Sequence, residues 1–193
     1  MHALLPQVHT RSSTMASRGA GSTNSPILLL LLLAVFAAGA SATTVTITNR
    51  CSYTVWPAVV PAGRGVELRP GSSWTLDVPV ITGATNIWGR TGCSFDKGGR
   101  GHCQTGDCGG LQCASGSSSN PAVTKAEFSV YNGSYYYGIT TLKGFNLPLD
   151  FSCSSGDALR CRQAGCQVAY PYQKYYQHTC GANGSQLQVV LCP

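Results

Sequence analysis

Ten cysteines are the residues most able to do chemistry in this chain: Cys51, Cys93, Cys103, Cys108, Cys113, Cys153, Cys161, Cys166, Cys180 and Cys192. An even number in a small chain predicts five disulfides and an oxidising compartment. Zinc is the rival use, but no CxxC pair occurs and His102, beside Cys103, lacks a second histidine at ligand spacing. The expectation is therefore no metal and no cofactor. Spacing alone leaves roughly nine hundred pairings of ten cysteines open. With all ten bridged, no thiol nucleophile remains.

The carboxylates are Glu67, Asp77, Asp96, Asp107, Glu127, Asp150 and Asp157, and beyond residue 42 the only histidines are His102 and His178. Glycoside hydrolysis needs two carboxyl groups, one to protonate the leaving oxygen and one to attack or to activate water. The residues alone leave such a pair open, and no catalytic residue is assigned. Gly99-Arg100-Gly101 does not open a helix after a strand and is no nucleotide loop. Eight of the nine tyrosines fall between Tyr131 and Tyr176, among Lys143, Arg160, Arg162 and Lys174. Tyrosine and arginine suit contact surfaces, while alternate tyrosines on a strand fill a core; about half should be structural. Asn132-Gly133-Ser134 and Asn183-Gly184-Ser185 are glycosylation sequons in turn-forming contexts.

Short β-branched or aromatic runs must position these groups. Thr44-Val45-Thr46-Ile47-Thr48 alternates with the period of a half-buried strand, and similar runs recur at 53–56, 74–78, 126–130, 134–139 and 186–191. Pro70-Gly71, Lys97-Gly98-Gly99, Asn132-Gly133 and Asn183-Gly184 separate them as turns. Only 156–163 reads as a short helix. Strands at this spacing without βαβ alternation predict an all-β, disulfide-rich antiparallel sandwich with little helix.

Residues 27–38 form an apolar run preceded by Arg11 and Arg18 and followed by Ala40-Ser41-Ala42. That is the pattern of a signal peptide over 1–42, with Met15 an alternative start, and the run is too short for a membrane span. The product, 43–193, is then a secreted, extracellular (apoplastic) protein without stable membrane insertion. With 43% hydrophobic and 10% charged residues the chain is no disordered polyelectrolyte. Losing Arg11 and Arg18 lowers the net charge from +6 to +4, which is too weakly basic for a nucleic-acid binder.

The segment Gly99-Arg100-Gly101-His102-Cys103-Gln104-Thr105-Gly106-Asp107-Cys108-Gly109-Gly110-Leu111-Gln112-Cys113 resembles the signature of plant thaumatin-like proteins. Asn49-Arg50-Cys51-Ser52-Tyr53-Thr54-Val55-Trp56, Trp88-Gly89-Arg90-Thr91-Gly92-Cys93, Gly144-Phe145-Asn146-Leu147-Pro148 and Leu191-Cys192-Pro193 extend the resemblance. Ten cysteines resemble the small class of that family, a single monomeric β-sandwich. The resemblance implies the bonds Cys51–Cys192, Cys93–Cys103, Cys108–Cys113, Cys153–Cys180 and Cys161–Cys166. Larger antifungal members carry one arginine and four carboxylates in a cleft linked to β-1,3-glucan. Here the arginine position holds Asn86, one acid remains as Glu127, and the others are Gly138, Lys143 and Val168.

Val55-Trp56-Pro57-Ala58-Val59, Ile87-Trp88-Gly89-Arg90, Thr141-Leu142-Lys143-Gly144 and Ser154-Ser155-Gly156-Asp157-Ala158-Leu159 are similar to cereal thaumatin-like inhibitors of microbial endo-1,4-β-xylanases. The resemblance implies a non-catalytic, pathogenesis-related plant defence protein whose partner is a microbial xylanase. The alternative is an antifungal protein that binds β-1,3-glucan or perturbs membranes. In the inhibitors the 61–68 loop is longer and presents a histidine; here its cation is Arg64. The candidate binding residues are Arg64, Asn86, Glu127, Tyr135, Tyr137 and Lys143, with Asn132 and Asn183 as glycosylation sites.

Overall fold

The computed structural model divides the chain into two units, Met1–Gly39 and Ala40–Pro193. It describes residues 42–80, 83–113, 121–170 and 178–193, all in the second unit. The leader, Ala42 excepted, lies outside the described residues, as do Tyr172, Lys174, Tyr175 and Tyr176. The strands in chain order are β1 (Ala42–Asn49), β2 (Trp56–Val60), β3 (Arg64–Gly65), β4 (Ser73–Pro79), β5 (Thr85–Arg90), β6 (Ser94–Phe95) and β7 (Gly101–His102). They continue as β8 (Lys125–Tyr131), β9 (Ser134–Thr140), β10 (Leu149–Cys153), β11 (Ala158–Cys161), β12 (Ala169–Tyr170), β13 (His178–Gly181) and β14 (Leu187–Leu191).

Two sheets form the sandwich. One runs β11-β10-β14-β1-β4; the other runs β12-β9-β8-β5-β2-β3, with β13 also on β9. Alternation explains the first: Val45 and Ile47 are fully buried, while outward Thr44, Thr46 and Thr48 bond to Asp77, Thr75 and Ser73 at 2.8, 3.0 and 2.9 Å. The core between the sheets joins Ile47, Val189, Leu191 and Phe151 to Ile87, Phe128, Tyr137 and Ile139. A second, smaller core lies on Trp88 and Ala58 and is capped by Cys108, Cys113 and Val123. That cap explains why β5 shows no alternation: it is covered on both faces.

The structure corrects three expectations. Residues 158–161 form a strand rather than part of a helix, because Leu159 and Cys161 alternate inward and pair with β10. The strand expected at 53–56 starts at Trp56, because the Asn49 side chain ties the preceding turn together: its Nδ2 donates to Tyr53 O and Leu68 O, and its Oδ1 accepts from Cys51 N. The first sheet is not purely antiparallel, since β1 runs parallel to β14 from Val45↔Leu187 to Asn49↔Leu191. All five disulfides join the pairs that the resemblance implies.

Candidate functional site

Arg64 is exposed on β3, the edge strand, opposite the core residue Val59. Its neighbour Gly65 lies against the cysteine-rich loop, where an added Cβ would overlap the Leu111 carbonyl, so only glycine fits. The Gly65 N–H donates to Gln112 Oε1 and Gln112 Nε2 donates to Gly65 O, both at 3.0 Å. The side-chain amide thus substitutes for one more residue of strand pairing. Beneath it, fully buried Arg90 donates to Trp56 O at 2.8 Å, Gly110 O at 2.6 Å and Leu111 O at 2.8 Å. Burial lowers the Arg90 pKa to about 10, against the opposing pull of Asp107, and the guanidinium stays charged at neutral pH. The loop that presents Arg64 is therefore fixed from below by Gln112, Arg90 and the Cys108–Cys113 bond.

On the sandwich's second sheet, Val60, Asn86, Glu127 and Gly138 stand side by side in one row. Strand alternation puts this row on the outward face, whereas Arg64 shares the row of core-facing Val59 and Ile87. The structure thus brings Asn86 and Glu127 together and sets Arg64 apart from them. Lys125, two residues from Glu127 on the same face, lies 5.7 Å from the Trp88 ring centre. Burial lowers its pKa; Glu127 opposes that shift and exposed Lys143 adds to it. Lys125 is therefore within electrostatic reach of both Glu127 and Lys143.

The other six carboxylates have partners elsewhere. Asp77 accepts from Thr44, Asp150 takes both Arg162 nitrogens at 2.6 and 3.0 Å, and Asp157 meets His178 at 2.8 Å. Glu67 faces Arg69, Asp96 faces Arg100, and Asp107 accepts from the Cys103 and Gly109 N–H groups. None of them stands in the Asn86–Glu127–Gly138 row.

Residues 49–192 match the Thaumatin family. The chain belongs to that family. It is 53% identical to thaumatin-like pathogenesis-related protein 4 of Avena sativa, over 79% of this chain and 88% of the other. Identity to zeamatin of Zea mays is 38%, over 72% and 69%. Among solved structures, the thaumatin-like xylanase inhibitor TLXI is similar at 59% identity and TM-score 0.65, covering 77% of this chain and 99% of the inhibitor. The elicitor MoHrip2 of Magnaporthe oryzae, at 13% identity and TM-score 0.51, shares the fold alone.

Within this thaumatin-family frame two sequence candidates change role. Tyr135 and Tyr137 face the core, not a partner: Tyr135 meets Phe128 edge-on at 6.1 Å and Tyr137 meets Phe151 at 5.4 Å. β9 alternates, so its odd-numbered tyrosines go inward and Tyr136 outward. Exposed Tyr131 and half-buried Tyr136, absent from the candidate set, form an outward aromatic pair, with ring centres 6.4 Å apart. Asn132 and Asn183 are both exposed. Lys125, Arg90 and Gln112 also escaped the sequence reading. Only Lys125 left a usable signal, its place two residues from Glu127 on an alternating strand. Among the described residues there is no group of three or more His, Cys, Asp or Glu that could hold a metal, and no helix long and apolar enough to cross a membrane.

Proposed function

We propose that this protein is a secreted, non-catalytic plant defence protein that inhibits microbial endo-1,4-β-xylanase by presenting Arg64 to the enzyme's carboxylates. The observation that carries the reading is the mounting of Arg64: an exposed guanidinium on a two-residue strand whose next residue is bonded twice to Gln112. A retaining or inverting xylanase has two carboxyl groups flanking its scissile bond. A guanidinium matches a carboxylate in bidentate fashion, and a loop fixed before encounter loses little freedom on binding. Net positive charge would speed association with such a groove. The similarity to the TLXI xylanase inhibitor supports the same reading.

Catalysis has little support, since Glu127 has Lys125 as a charged neighbour and the other carboxylates are engaged elsewhere. A row with a single carboxylate and a lysine two residues away likewise disfavours the alternative of an acidic glucan-binding cleft. The test is inhibition of a panel of fungal and bacterial endo-xylanases by residues 43–193, alongside Arg64→Ala and Lys143→Asp. Arg64→Ala should weaken inhibition at least ~10-fold, the scale of one desolvated charge-assisted contact, and Lys143→Asp should change it much less. Inhibition absent across the panel, with salt-resistant retention on insoluble β-1,3-glucan, would replace this reading with the glucan-binding one.

A further inference from the structure

The β8–β9 hairpin closes with two residues, Asn132 and Gly133, both in the left-handed region at φ 48° and 71°. This is the turn that matches the twist of a two-stranded ribbon, and asparagine followed by glycine is its preferred occupant. Tyr131 and Ser134 face each other across it, and the Gly133 carbonyl accepts from Ala182 N–H at 2.8 Å, anchoring the turn to its neighbour. Tyr131 is 64% exposed, the most exposed of the large apolar side chains described. Its ring is backed by half-buried Tyr136. A large aromatic ring held against a second ring, with most of its surface bare and one residue away from a sequon asparagine, lacks a covering group.

We infer that Asn132 carries an N-linked glycan whose first sugar sits on the Tyr131 ring. Transfer from a lipid-diphosphate-linked oligosaccharide joins Asn132 Nδ2 to C1 of the first N-acetylglucosamine, breaks the bond from C1 to the phosphate oxygen, and releases the lipid diphosphate and the amide proton. The C–H groups on one face of a pyranose carry partial positive charge and meet the negative face of the ring, while apolar surface on both leaves water. Asn183 is also exposed in a turn, but its neighbours in sequence are Ala182 and Gly184, so its sugar gains no such platform. With three strands of ~4.8 Å and six residues of ~3.4 Å between them, the Asn132 turn lies ~25 Å from Arg64. The glycan leaves that loop open.

This inference rests on the secretory reading and is independent of xylanase. Its test is the full chain, expressed in plant cells and collected from the medium, with glycopeptides read by mass spectrometry and melting followed for four proteins: unsubstituted, Ser134→Ala, Tyr131→Ser and both. Ser134→Ala removes the sequon while keeping asparagine in its left-handed turn, and the same four made without glycan in bacteria supply the baseline. Asn132 should be occupied. Losing the glycan should lower Tm by ~2–4 °C beyond the bacterial baseline, the scale for a chain of this size. In the Tyr131→Ser background that loss should vanish, and Ser185→Ala, compared with its own bacterial form because it also loses the 2.6 Å bond to Ser155, should show no glycan-dependent loss. Secreted protein with Asn132 bare, or a glycan effect unchanged by Tyr131→Ser, overturns the inference; protein retained in cells without glycan overturns the secretory reading with it.

Discussion

At the scale of single residues, polar groups inside the sandwich are the informative ones, because each must find a partner. Tyr137 is fully buried and donates its hydroxyl to the Asp157 carbonyl at 2.8 Å, which joins β9 to the turn before β11. Burial raises its pKa above the ordinary value of 10, a shift that the Asp157 hydrogen bond opposes and the Asp157 charge reinforces. Below that value the phenol is neutral in folded and unfolded chains alike, and it adds no pH dependence. Above it the unfolded chain ionises first, so stability falls as pH rises, until the folded phenol also ionises. Near-ultraviolet titration should therefore show one tyrosine ionising late, and Tyr137→Phe should remove it at a cost of ~1 kcal/mol at neutral pH. A late step that persists in Tyr137→Phe would assign it to another tyrosine. The inward role of Tyr137 was within reach of the sequence, since residues 134–139 alternate. Arg90 was not: nothing local marks an arginine for complete burial when its acceptors are backbone carbonyls more than fifteen residues away in sequence.

At the scale of elements, β3 shows how a two-residue strand is made rigid. Its backbone pairs with β2 on one side, and on the other the Gln112 amide completes the pattern. Gln112→Ala removes both bonds. Stability should fall by ~1–2 kcal/mol, and the Gly65 amide should exchange with solvent faster while amides of β1 and β14 keep their protection. Exchange of Gly65 unchanged by the substitution would show that Arg90 and the disulfide suffice to hold the loop. If the inhibitory reading holds, the same variant should inhibit less by raising the dissociation rate, because a looser loop must be ordered on binding. Of the strands exposed on one face, β1, β4, β8, β9 and β14 were legible from period-two alternation. β5 was not, because the cysteine-rich cap buries its second face; β11 was misread because four residues are too few to separate two periods. The cap itself was legible only as a resemblance, since spacing could not pair its cysteines.

At the scale of the whole molecule, the two ends of the domain are joined twice: β1 pairs in parallel with β14, and Cys51 is bonded to Cys192 at a sequence separation of 141. Parallel neighbours cannot be connected by a short turn, so this pairing closes the longest loop in the domain. Chain-entropy arguments make the stabilisation grow with the logarithm of that loop. They give about 5 kcal/mol for Cys51–Cys192 and about 2 kcal/mol for Cys161–Cys166, whose separation is 5. Replacing both cysteines of each bond by alanine should therefore separate the two variants by ~3 kcal/mol in denaturant unfolding, with the Cys51/Cys192 variant the weaker. It should also lose amide protection first at Arg50 and at the alanine replacing Cys192, positions whose N–H groups bond to Leu191 O and Pro148 O next to the bridge. Equal losses in the two variants would mean that the parallel strands hold the ends together without the bond. The hydrophobic core between the sheets, rather than the cross-link, would then set the domain's resistance to unfolding.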